Sequence, residues 1–520
     1  MATTKKPAAK TPAAKAAPAK KPAPATATKN AGGLDGFFKI SERGSTIGTE
    51  VRGGLTTFFT MAYIVVLNPI ILVGIIGIPG APLIGGGSDP VEAIAMVAAV
   101  TALVAGVMTI LMGLIANFPL ALAAGLGLNG FVAYGLVVGK GYTWPEAMGM
   151  IVIEGTVVLL LVLTKFRIKI LYAVPLALKK AIAVGIGLFL AFIGLWDAGI
   201  VTAGSGTPTQ FGDGGSINSW PMIVFFVGLI AAIVLMARKV KGALLISIGV
   251  ATVVAFVVEA IAKLGPVTLA DGSPGNPKGW HLVVPTFEGA STSFTPDLGL
   301  LGKVSVFGGF NGDGVAWKIA LTGVLVVFSL LVVDFFDTMG TMTAVGEEGG
   351  LNDESGIPAG SQKILIVDSV GAIAGGAASS SSNTAYIESA AGVGDGARTG
   401  LASVVTGLAF IAAMFLTPLY QLVPFEAATP VLVVVGFLMV TLVSEIDWKD
   451  LRIAIPAFLT MIIMPFGYSI AAGIGLGFIS YVILSVAVGK AKEVKTLMWI
   501  VAGLFALYFA LGPIDQLVNG

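Results

Sequence analysis

Apolar runs of about 20 residues follow one another along most of the chain after residue 33, and this pattern restricts the possible folds more than any other feature. Of the 520 residues, 56% are hydrophobic and 11% are charged, whereas a soluble domain has about 25% charged residues. So few charged side chains cannot cover the surface of a soluble protein of this size. The pattern therefore predicts a polytopic membrane protein and excludes a soluble enzyme, a nucleic-acid-binding protein and a disordered chain.

The chain lacks the side chains that most metal and thiol chemistry requires. It has no cysteine, and His281 is its only histidine. The sequence also contains no phosphate-binding loop in a strand–turn–helix context and no Ser–His–Asp arrangement. We therefore predict a protein that is not an enzyme, binds no metal and needs no cofactor.

The apolar runs form two sets of seven, which predicts an all-α membrane protein with 14 transmembrane spans. The first set covers residues 53–77, 93–117, 119–138, 144–164, 176–197, 219–237 and 241–263. The second set covers residues 315–346, 361–380, 383–394, 398–418, 427–445, 451–468 and 469–489. A further apolar stretch at 496–514 either crosses the membrane again or lies along its surface.

Basic clusters predict the orientation of these spans. With a cytoplasmic N-terminus, the clusters at 165–169, 238–241 and 490–495 fall on the cytoplasmic side, and the loop 264–313 falls outside. Residues 1–30 contain seven Lys and no acidic residue. This Lys/Ala/Pro composition predicts a disordered, solvated tail near the anionic inner leaflet.

Two segments interrupt the helical pattern at matching places in the two halves. Residues 121–135 contain four Gly around Asn129, and residues 375–394 change from an apolar run to small polar residues. Each segment is the third element of its set of seven. Interrupted spans at corresponding positions indicate a transporter whose binding site lies at the bilayer midplane. We therefore predict a 7+7 inverted repeat whose spans 3 and 10 are interrupted by unwound backbone.

Ionisable residues at membrane depth usually mark a substrate or proton path, because each is costly to insert. The candidates are Asp334, Asp337, Glu388, Glu154 and Asp368. Asp337 and Glu388 are the first choices for the path, and Asp334 shares a helix face with Asp337. Glu154 and Asp368 are expected to make structural polar contacts between spans.

Paired carboxylates suit the recognition of a flat heterocycle that presents N–H groups. An ionised carboxylate accepts N–H hydrogen bonds, and a buried one can also take up a proton because burial disfavours its charged form. Asn129 would add an amide, while Tyr386 or Phe131 could stack on the ring. The residues alone thus favour proton-coupled transport of a heterocycle.

Four long motifs resemble one known family: GLTTFFTMAYIVVLNPIIL, GLGLNGFVAYG, DFFDTMGTMTAVGEEGGLNDESG and SSSSNTAYIESAAGVGDGARTGL. They are similar to the AzgA-like adenine/guanine/hypoxanthine permeases, a branch of the nucleobase–cation symporter-2 family with a fold like that of the uracil transporter UraA. The resemblance runs from about residue 34 to about residue 512. It implies short extended segments in spans 3 and 10 that meet at the midplane. It also implies a core domain that carries the substrate and a gate domain that forms the opposite wall.

The implied domain boundaries divide the chain into seven segments. They are a disordered basic tail at 1–33, the first core-domain segment at 34–170 (spans 1–4), the first gate-domain segment at 171–265 (spans 5–7), an extracytoplasmic loop at 266–313, the second core-domain segment at 314–420 (spans 8–11), the second gate-domain segment at 421–490 (spans 12–14) and a C-terminal hydrophobic segment at 491–520.

The resemblance also implies roles for individual residues. The family's span-8 acid, three residues before a Gly, matches Asp337, and its span-10 acid, two residues after a Tyr, matches Glu388. Asn129 matches the span-3 Asn. In span 1 the matching residues are Thr60, as the first choice, and Asn68, as the second. Asp334 lies one turn from Asp337 and is the second choice for the span-8 acid. Asp337, Glu388 and Asp334 are the expected proton-coupling residues.

The expected function is import of purine nucleobases by proton symport, with elevator-like movement of the core against the gate, in a bacterial plasma (inner) membrane. Surfaces rich in Gly and Ala allow a homodimer without requiring one, and no nucleic-acid partner is expected. The alternative is a transporter of anions or of other small molecules on the same fold. Two acids in the site argue against an anion, because a bound anion requires positive groups.

Overall fold

A computed structural model describes residues 33–73, 90–164, 174–204, 206–212, 214–268, 273–287, 293–311, 316–353 and 356–519. Residues 1–32 of the tail and the basic cluster at 165–169 lie outside the described residues. The disorder expected of the tail and the side of the membrane expected for that cluster therefore stay predictions.

In the first half of the chain, the described residues are helical apart from short strands and loops. Its helices are α1 (Leu34–Phe38), α2 (Ile47–Met61), α3 (Ile64–Val73), α4 (Pro90–Leu111), α5 (Leu126–Gly130), α6 (Trp144–Leu163), α7 (Leu176–Asp197), α8 (Trp220–Ala237) and α9 (Ala243–Ala262). Wider π-helical turns continue α4 over Met112–Ala116 and α5 over Phe131–Val138. Side chains define several helix starts: the hydroxyl of Thr46 accepts the N–H of Thr49 at 3.2 Å, and that of Ser219 accepts the N–H of Met222 at 3.4 Å.

The second half has a corresponding series of helices. They are α10 (Ala316–Gly349), α11 (Ser361–Ala377), α12 (Ser389–Gly394), α13 (Gly400–Ala413), α14 (Thr417–Tyr420), α15 (Phe425–Ala428), α16 (Pro430–Val440), α17 (Leu451–Phe466), α18 (Ile470–Ala487) and α19 (Thr496–Asn519). Single 3-10 turns cover Gly308–Phe310, Met414–Leu416, Thr441–Glu445 and Ala491–Glu493.

Two pairs of short antiparallel strands complete the described fold: β1 (Leu122–Ala124) with β4 (Asn383–Ala385), and β2 (Val201–Thr202) with β3 (Gln210–Phe211). The first pair lies in the two segments where the sequence interrupts the helical pattern. The second pair lies in the connection between α7 and α8. Only the first pair joins the two halves of the chain.

The helices pack in two sets of neighbours that both combine the halves of the sequence. In one set, α4 and α2 pack against α13, and α6 packs against α11 and α10. In the other set, α7 packs against α16 and α17, and α17 packs against α18. The approach of α4 to α13 is close enough that a Cβ atom at Gly113 or Gly400 would collide with the backbone of the other residue.

Among the described residues, ten helical segments are long and apolar enough to cross a membrane, and three shorter apolar helices accompany them. The predicted all-α membrane protein with short extended segments in spans 3 and 10 is therefore confirmed. The count of fourteen crossings stays a prediction. The last apolar stretch forms α19, which packs against α18 with Phe505 fully buried, and its crossing of the membrane also stays a prediction.

Candidate functional site

The candidate site is built around the pairing of β1 with β4. Leu122 pairs with Ala385, Ala123 with Thr384 and Ala124 with Asn383. One hydrogen bond at each end extends the ladder: Gly125 N–H donates to Ser382 O at 2.9 Å, and Tyr386 N–H donates to Ala121 O at 3.0 Å. These bonds satisfy backbone groups that would otherwise be unpaired inside an apolar protein. The ladder thus holds the two interrupted segments together.

Strained backbone precedes β4. Ser379 and Ser381 have φ angles of 58° and 72°, which is a left-handed conformation that residues with a side chain seldom adopt. The carbonyl of Ser380 between them accepts a hydrogen bond from Asn68 Nδ2 at 3.1 Å. Such strain persists only where surrounding contacts hold it, and it occurs often at ligand sites.

Glu388 lies where β4 gives way to α12, and it is held by residues of the first span. Tyr63 OH donates a 2.5 Å hydrogen bond to Glu388 Oε1. Thr60 Oγ1 approaches the main-chain O of Glu388 at 3.5 Å, while it also donates to Thr56 O and Thr57 O at 2.9 and 2.8 Å. Glu388 itself is half-buried. One oxygen is therefore engaged by Tyr63, and the carboxylate keeps further acceptor capacity.

Asp337 faces open space on α10. It is exposed although most of its helix neighbours are buried, and a Cβ atom at Gly340, three residues later, would meet nothing within 4 Å. Asp337 lies within electrostatic range of Glu388 and of Tyr386. Tyr386 is buried, and its hydroxyl donates to Ala124 O at 2.6 Å. Asp337 therefore borders an opening on α10, and Glu388 and Tyr386 lie within electrostatic range of it beside the strand pair.

Asn129 lies in α5, which follows β1 along the chain. It is completely buried, and its Nδ2 donates to Asn68 Oδ1 at 2.6 Å. Asn68 Nδ2 in turn donates to Thr101 Oγ1 at 2.7 Å. The Oδ1 atom of Asn129 has no hydrogen-bond partner among the described residues. An amide with one free acceptor is a suitable partner for a ligand N–H group.

Phe131 and Asp334 are placed less directly in the opening. Phe131 is fully buried, and its ring lies against Gly135. Asp334 is also fully buried, one turn before Asp337. The structure thus brings Asp337, Glu388, Tyr386 and Thr60 together, and it ties Asn129 to the same strand pair through Asn68 and Ser380.

Sequence reasoning missed two residues that organise this region. Tyr63 binds Glu388, and its only signal in the sequence is a hydroxyl within an otherwise apolar run. Thr338 bridges β4 to α11, because its hydroxyl pairs with Thr384 Oγ1 at 2.8 Å and donates to Asp368 Oδ1 at 2.9 Å. Both contacts join residues that are distant in sequence.

An ion pair at the C-terminal end of α12 joins the helix to the segment before α9. Asp395, directly after α12, pairs with Lys241 and accepts a 2.6 Å hydrogen bond from Thr56 Oγ1. Arg52 Nη2 donates to the main-chain O of Asp395 at 2.7 Å. The hydrogen bond from Lys241, followed by that from Thr56, holds the pKa of Asp395 below its ordinary value. Asp395 is therefore an ionised anchor for the helix that follows Glu388.

Comparison with known proteins gives a consistent result over most of the chain. The model of the Permease family matches residues 48–476. The guanine/hypoxanthine permease PbuG of Bacillus subtilis is 38% identical over 475 residues, which are 91% of this chain and 98% of that protein. The adenine permease AdeP of Escherichia coli is 36% identical over 482 residues, which are 93% of this chain and 97% of that protein.

A solved structure shares the fold at low sequence identity. The transmembrane domain of the cyanobacterial bicarbonate transporter BicA matches with a TM-score of 0.52 and 14% identity, covering 82% of this chain and 97% of that domain. Such a likeness concerns the fold alone.

Proposed function

This chain belongs to the Permease family, and on that premise we propose that it imports purine nucleobases by proton symport. It is a multi-pass membrane protein of a family of transporters, so no chemical reaction on the substrate is needed. The adenine and guanine/hypoxanthine specificities of the relatives make these three bases the substrates to test. The proposed location is a bacterial plasma membrane, with the N-terminus in the cytoplasm.

The observation that carries this proposal is that Asp337 is exposed at an opening on α10 and that Glu388 lies within electrostatic range of it beside the strand pair. A purine presents N–H donors along its edge, and two carboxylates with free acceptor positions suit such an edge. Tyr386 offers an aromatic face beside them. Thr60 lies at the main chain of Glu388, and Phe131 gives bulk to the wall formed by the extension of α5.

Asn129 supports the same proposal from the first half of the chain. Its unpaired Oδ1 atom can accept one further N–H group, and its Nδ2 atom is fixed by Asn68. In this proposal, Asp337, Glu388 and Asn129 bind the base edge, and the coupling proton is carried among Asp337, Glu388 and Asp334.

The proposed movement is an elevator-like shift of a core against a gate. The core would comprise residues 34–170 and 314–420, and the gate would comprise residues 171–265 and 421–490. Support comes from the packing of α4 and α2 on α13 in the first group and of α7 on α16 and α17 in the second. The opening at Asp337 would then change its side of access.

The test is uptake of radiolabelled adenine, guanine and hypoxanthine by transport-deficient cells that express the chain. We expect accumulation that collapses with a protonophore and persists when Na⁺ is replaced. The matched control is Asp337→Asn in the same cells. Sensitivity to Na⁺ instead of the proton gradient would overturn proton symport, while uptake of bicarbonate or sulfate without any base would favour an anion transporter on the same fold.

A further inference from the structure

Three buried carboxyl groups from three helices lie near the candidate base-binding slot. This slot is the opening at Asp337, beside Glu388 and Tyr386. Glu154 comes from α6, Asp334 from α10 and Asp368 from α11, and their exposed fractions are 0%, 0% and 1%. Glu154 lies within electrostatic range of both other groups. None of the three opens into the slot in the way that Asp337 does. This cluster needs an explanation apart from base binding.

Two members of the cluster have no partner for their oxygens. Both oxygens of Glu154 and both oxygens of Asp334 are fully buried and have no hydrogen-bond partner within the described part of the chain. The Thr384 hydroxyl lies beside the Asp334 carboxyl, but it pairs with Thr338 instead. Asp368 differs from them, because its Oδ1 atom accepts a hydrogen bond from Thr338.

Unpaired carboxylates in this position cannot all be ionised. A buried charge without hydrogen bonds or a counter-ion is strongly disfavoured, and neighbouring like charges increase that cost. The described residues contain no group of three acidic, His or Cys side chains with a geometry that could hold a metal ion. A proton neutralises a carboxylate and, unlike a metal ion, requires no coordination shell.

We propose that Glu154, Asp334 and Asp368 form a proton-binding site that is separate from the base-binding slot. This inference rests on the proposed proton symport and refines it. Of the three residues proposed there to carry the coupling proton it keeps Asp334, and it adds Glu154 and Asp368. A proton from the side of higher proton concentration binds a carboxylate oxygen and gives a neutral carboxyl. On the other side the same O–H bond breaks and the proton passes to water, which leaves the carboxylate.

Direct contacts connect this proton site to the slot. Thr338 bonds both Asp368 and Thr384, and Thr384 belongs to β4, which ends directly before Tyr386. Asp334 is one helical turn from Asp337, and the two groups are within electrostatic range. A change of charge in the cluster therefore alters the groups that hold β4 and the field at Asp337.

Among the described residues, the titratable groups that face Glu154 are all acids. Asp368 faces it from α11 and Asp334 faces it from α10, the two long helices that pack on α6. Tyr134, on the π-helical segment that also contacts α6, donates to Asp197 at 2.8 Å instead. Within the described ranges, the one further acid that acts on the cluster is Asp337, through Asp334.

The test compares Glu154→Gln with wild type in proteoliposomes under an imposed pH gradient. One coupled proton and a gradient of about one pH unit support about tenfold accumulation of base. We expect Glu154→Gln to lose this accumulation and to reach only an equal concentration on both sides. Base binding in detergent, measured by calorimetry, should stay within about threefold of wild type. The calorimetric proton uptake on base binding, obtained in buffers of different ionisation enthalpy, should fall in the variant.

Two further variants keep the result interpretable. Glu154→Asp retains a carboxyl and should restore part of the pH-driven accumulation, which a purely structural role of the side chain would not predict. Glu259→Gln is the matched control, because Glu259 is a buried acid whose oxygens accept the N–H groups of Leu264, Gly265 and Trp280. It should leave coupling unchanged. If Glu154→Gln does not fold, Asp368→Asn takes its place in the same assay.

The outcomes separate this inference from the proposed function. A wild type that takes up base without any response to the pH gradient would overturn proton symport, and the proton site with it. A coupled wild type together with normally coupled Glu154→Gln and Asp368→Asn would overturn the proton site alone. Loss of coupling with retained base binding in either variant supports it.

Discussion

The two strands that meet at the candidate site, β1 and β4, have the same length and opposite chemistry. β1 is Leu122–Ala124 and carries no polar side chain, whereas β4 is Asn383–Ala385 and is followed by Tyr386 and Glu388. The same contrast extends to the neighbouring helices. Asp334, Asp337 and Asp368 belong to the second half, while the first half contributes amides and hydroxyls around the slot. The first half also has one acid in this region, Glu154, but it is completely buried.

This difference shows that the two halves share a backbone geometry but differ in the chemistry of their side chains. The two interrupted spans satisfy each other's backbone hydrogen bonds. This pairing requires only that each half has one extended segment. Ligand recognition requires charge, and only one half supplies it in the slot. The first half instead fixes the charged residues: Tyr63 binds Glu388, and Asn68 holds the strained turn at Ser380. In this arrangement the first half is a positioning half and the second half is a recognition half.

The largest expected effect concerns the two acids of α10. Asp337→Asn should abolish accumulation and weaken base binding by about 1.5–3 kcal/mol, because a charged acceptor at the opening is lost. Asp334→Asn should keep base affinity and lose pH-driven accumulation, because Asp334 is buried behind the slot. Calorimetry for binding and accumulation against external pH distinguish the two. Normal base binding by Asp337→Asn with weak binding by Asp334→Asn would move the slot by one helical turn.

Glu388→Gln should have the next largest effect. The substitution keeps the size of the side chain and removes the charge, so base affinity should fall by about 1.5–3 kcal/mol while some exchange of base persists. Asn129→Ala gives the matching change in the first half, and we expect a smaller loss of about 0.5–1.5 kcal/mol because the amide is neutral. Competition binding with labelled purine measures both. An equal or larger loss for Asn129→Ala would break the division between the two halves.

Much of this architecture is visible in the sequence because lipid imposes simple rules. The length of the apolar runs gives the helices, and the glycines around Asn129 and the serines before Asn383 give the two interruptions. The acids stand out because ionisable residues are rare at this depth. The burial of Asp334 and the exposure of Asp337 could not be predicted, because both lie on one face of a regular helix. Their difference depends on which helices pack against α10.

Contacts between distant residues were also beyond sequence reasoning. Tyr63 and Glu388 are separated by more than 300 residues and share one hydrogen bond. No local pattern indicates that pairing, since a single tyrosine in an apolar span is ordinary. Glu154 and Asp368 were expected to be structural contacts between spans, and the absence of partners at Glu154 among the described residues is visible only in three dimensions.

Tyr63→Phe sharpens the distinction between positioning and recognition with a smaller effect. The hydroxyl touches Glu388 and not an open position in the slot, so base affinity should fall by about 0.5–1.5 kcal/mol. In a double-mutant cycle with Glu388→Gln, the two losses should be less than additive, because both remove the same interaction. Tyr134→Phe is the matched control, since Tyr134 OH donates to Asp197 at 2.8 Å. Any loss of base affinity caused by Tyr134→Phe should add to the loss caused by Glu388→Gln. If the loss caused by Tyr63→Phe were also additive with that of Glu388→Gln, Tyr63 would not belong to the positioning half.

The smallest expected effect tests whether the halves also depend on each other outside the slot. Lys241, from the first half, pairs with Asp395, whose pKa lies below its ordinary value of 3.8 because of Lys241 and then Thr56. The side chains of Lys241 and Asp395 are 55% and 20% exposed, so Lys241→Ala should lower the free energy of unfolding by about 0–1 kcal/mol.

The effect of Lys241→Ala should depend on pH. A carboxyl group with a depressed pKa in the folded state stabilises the fold at pH values above its unfolded pKa, and this contribution disappears as the pH falls through the folded pKa. Wild type and Lys241→Ala should therefore differ in thermal stability at pH 7, and the difference should shrink as the pH falls below 3.8. The control is Lys490→Ala, at an exposed lysine with no ion pair among the described residues. A difference that persists at low pH would show that Lys241 acts through packing and that the charge of Asp395 does not join the two halves.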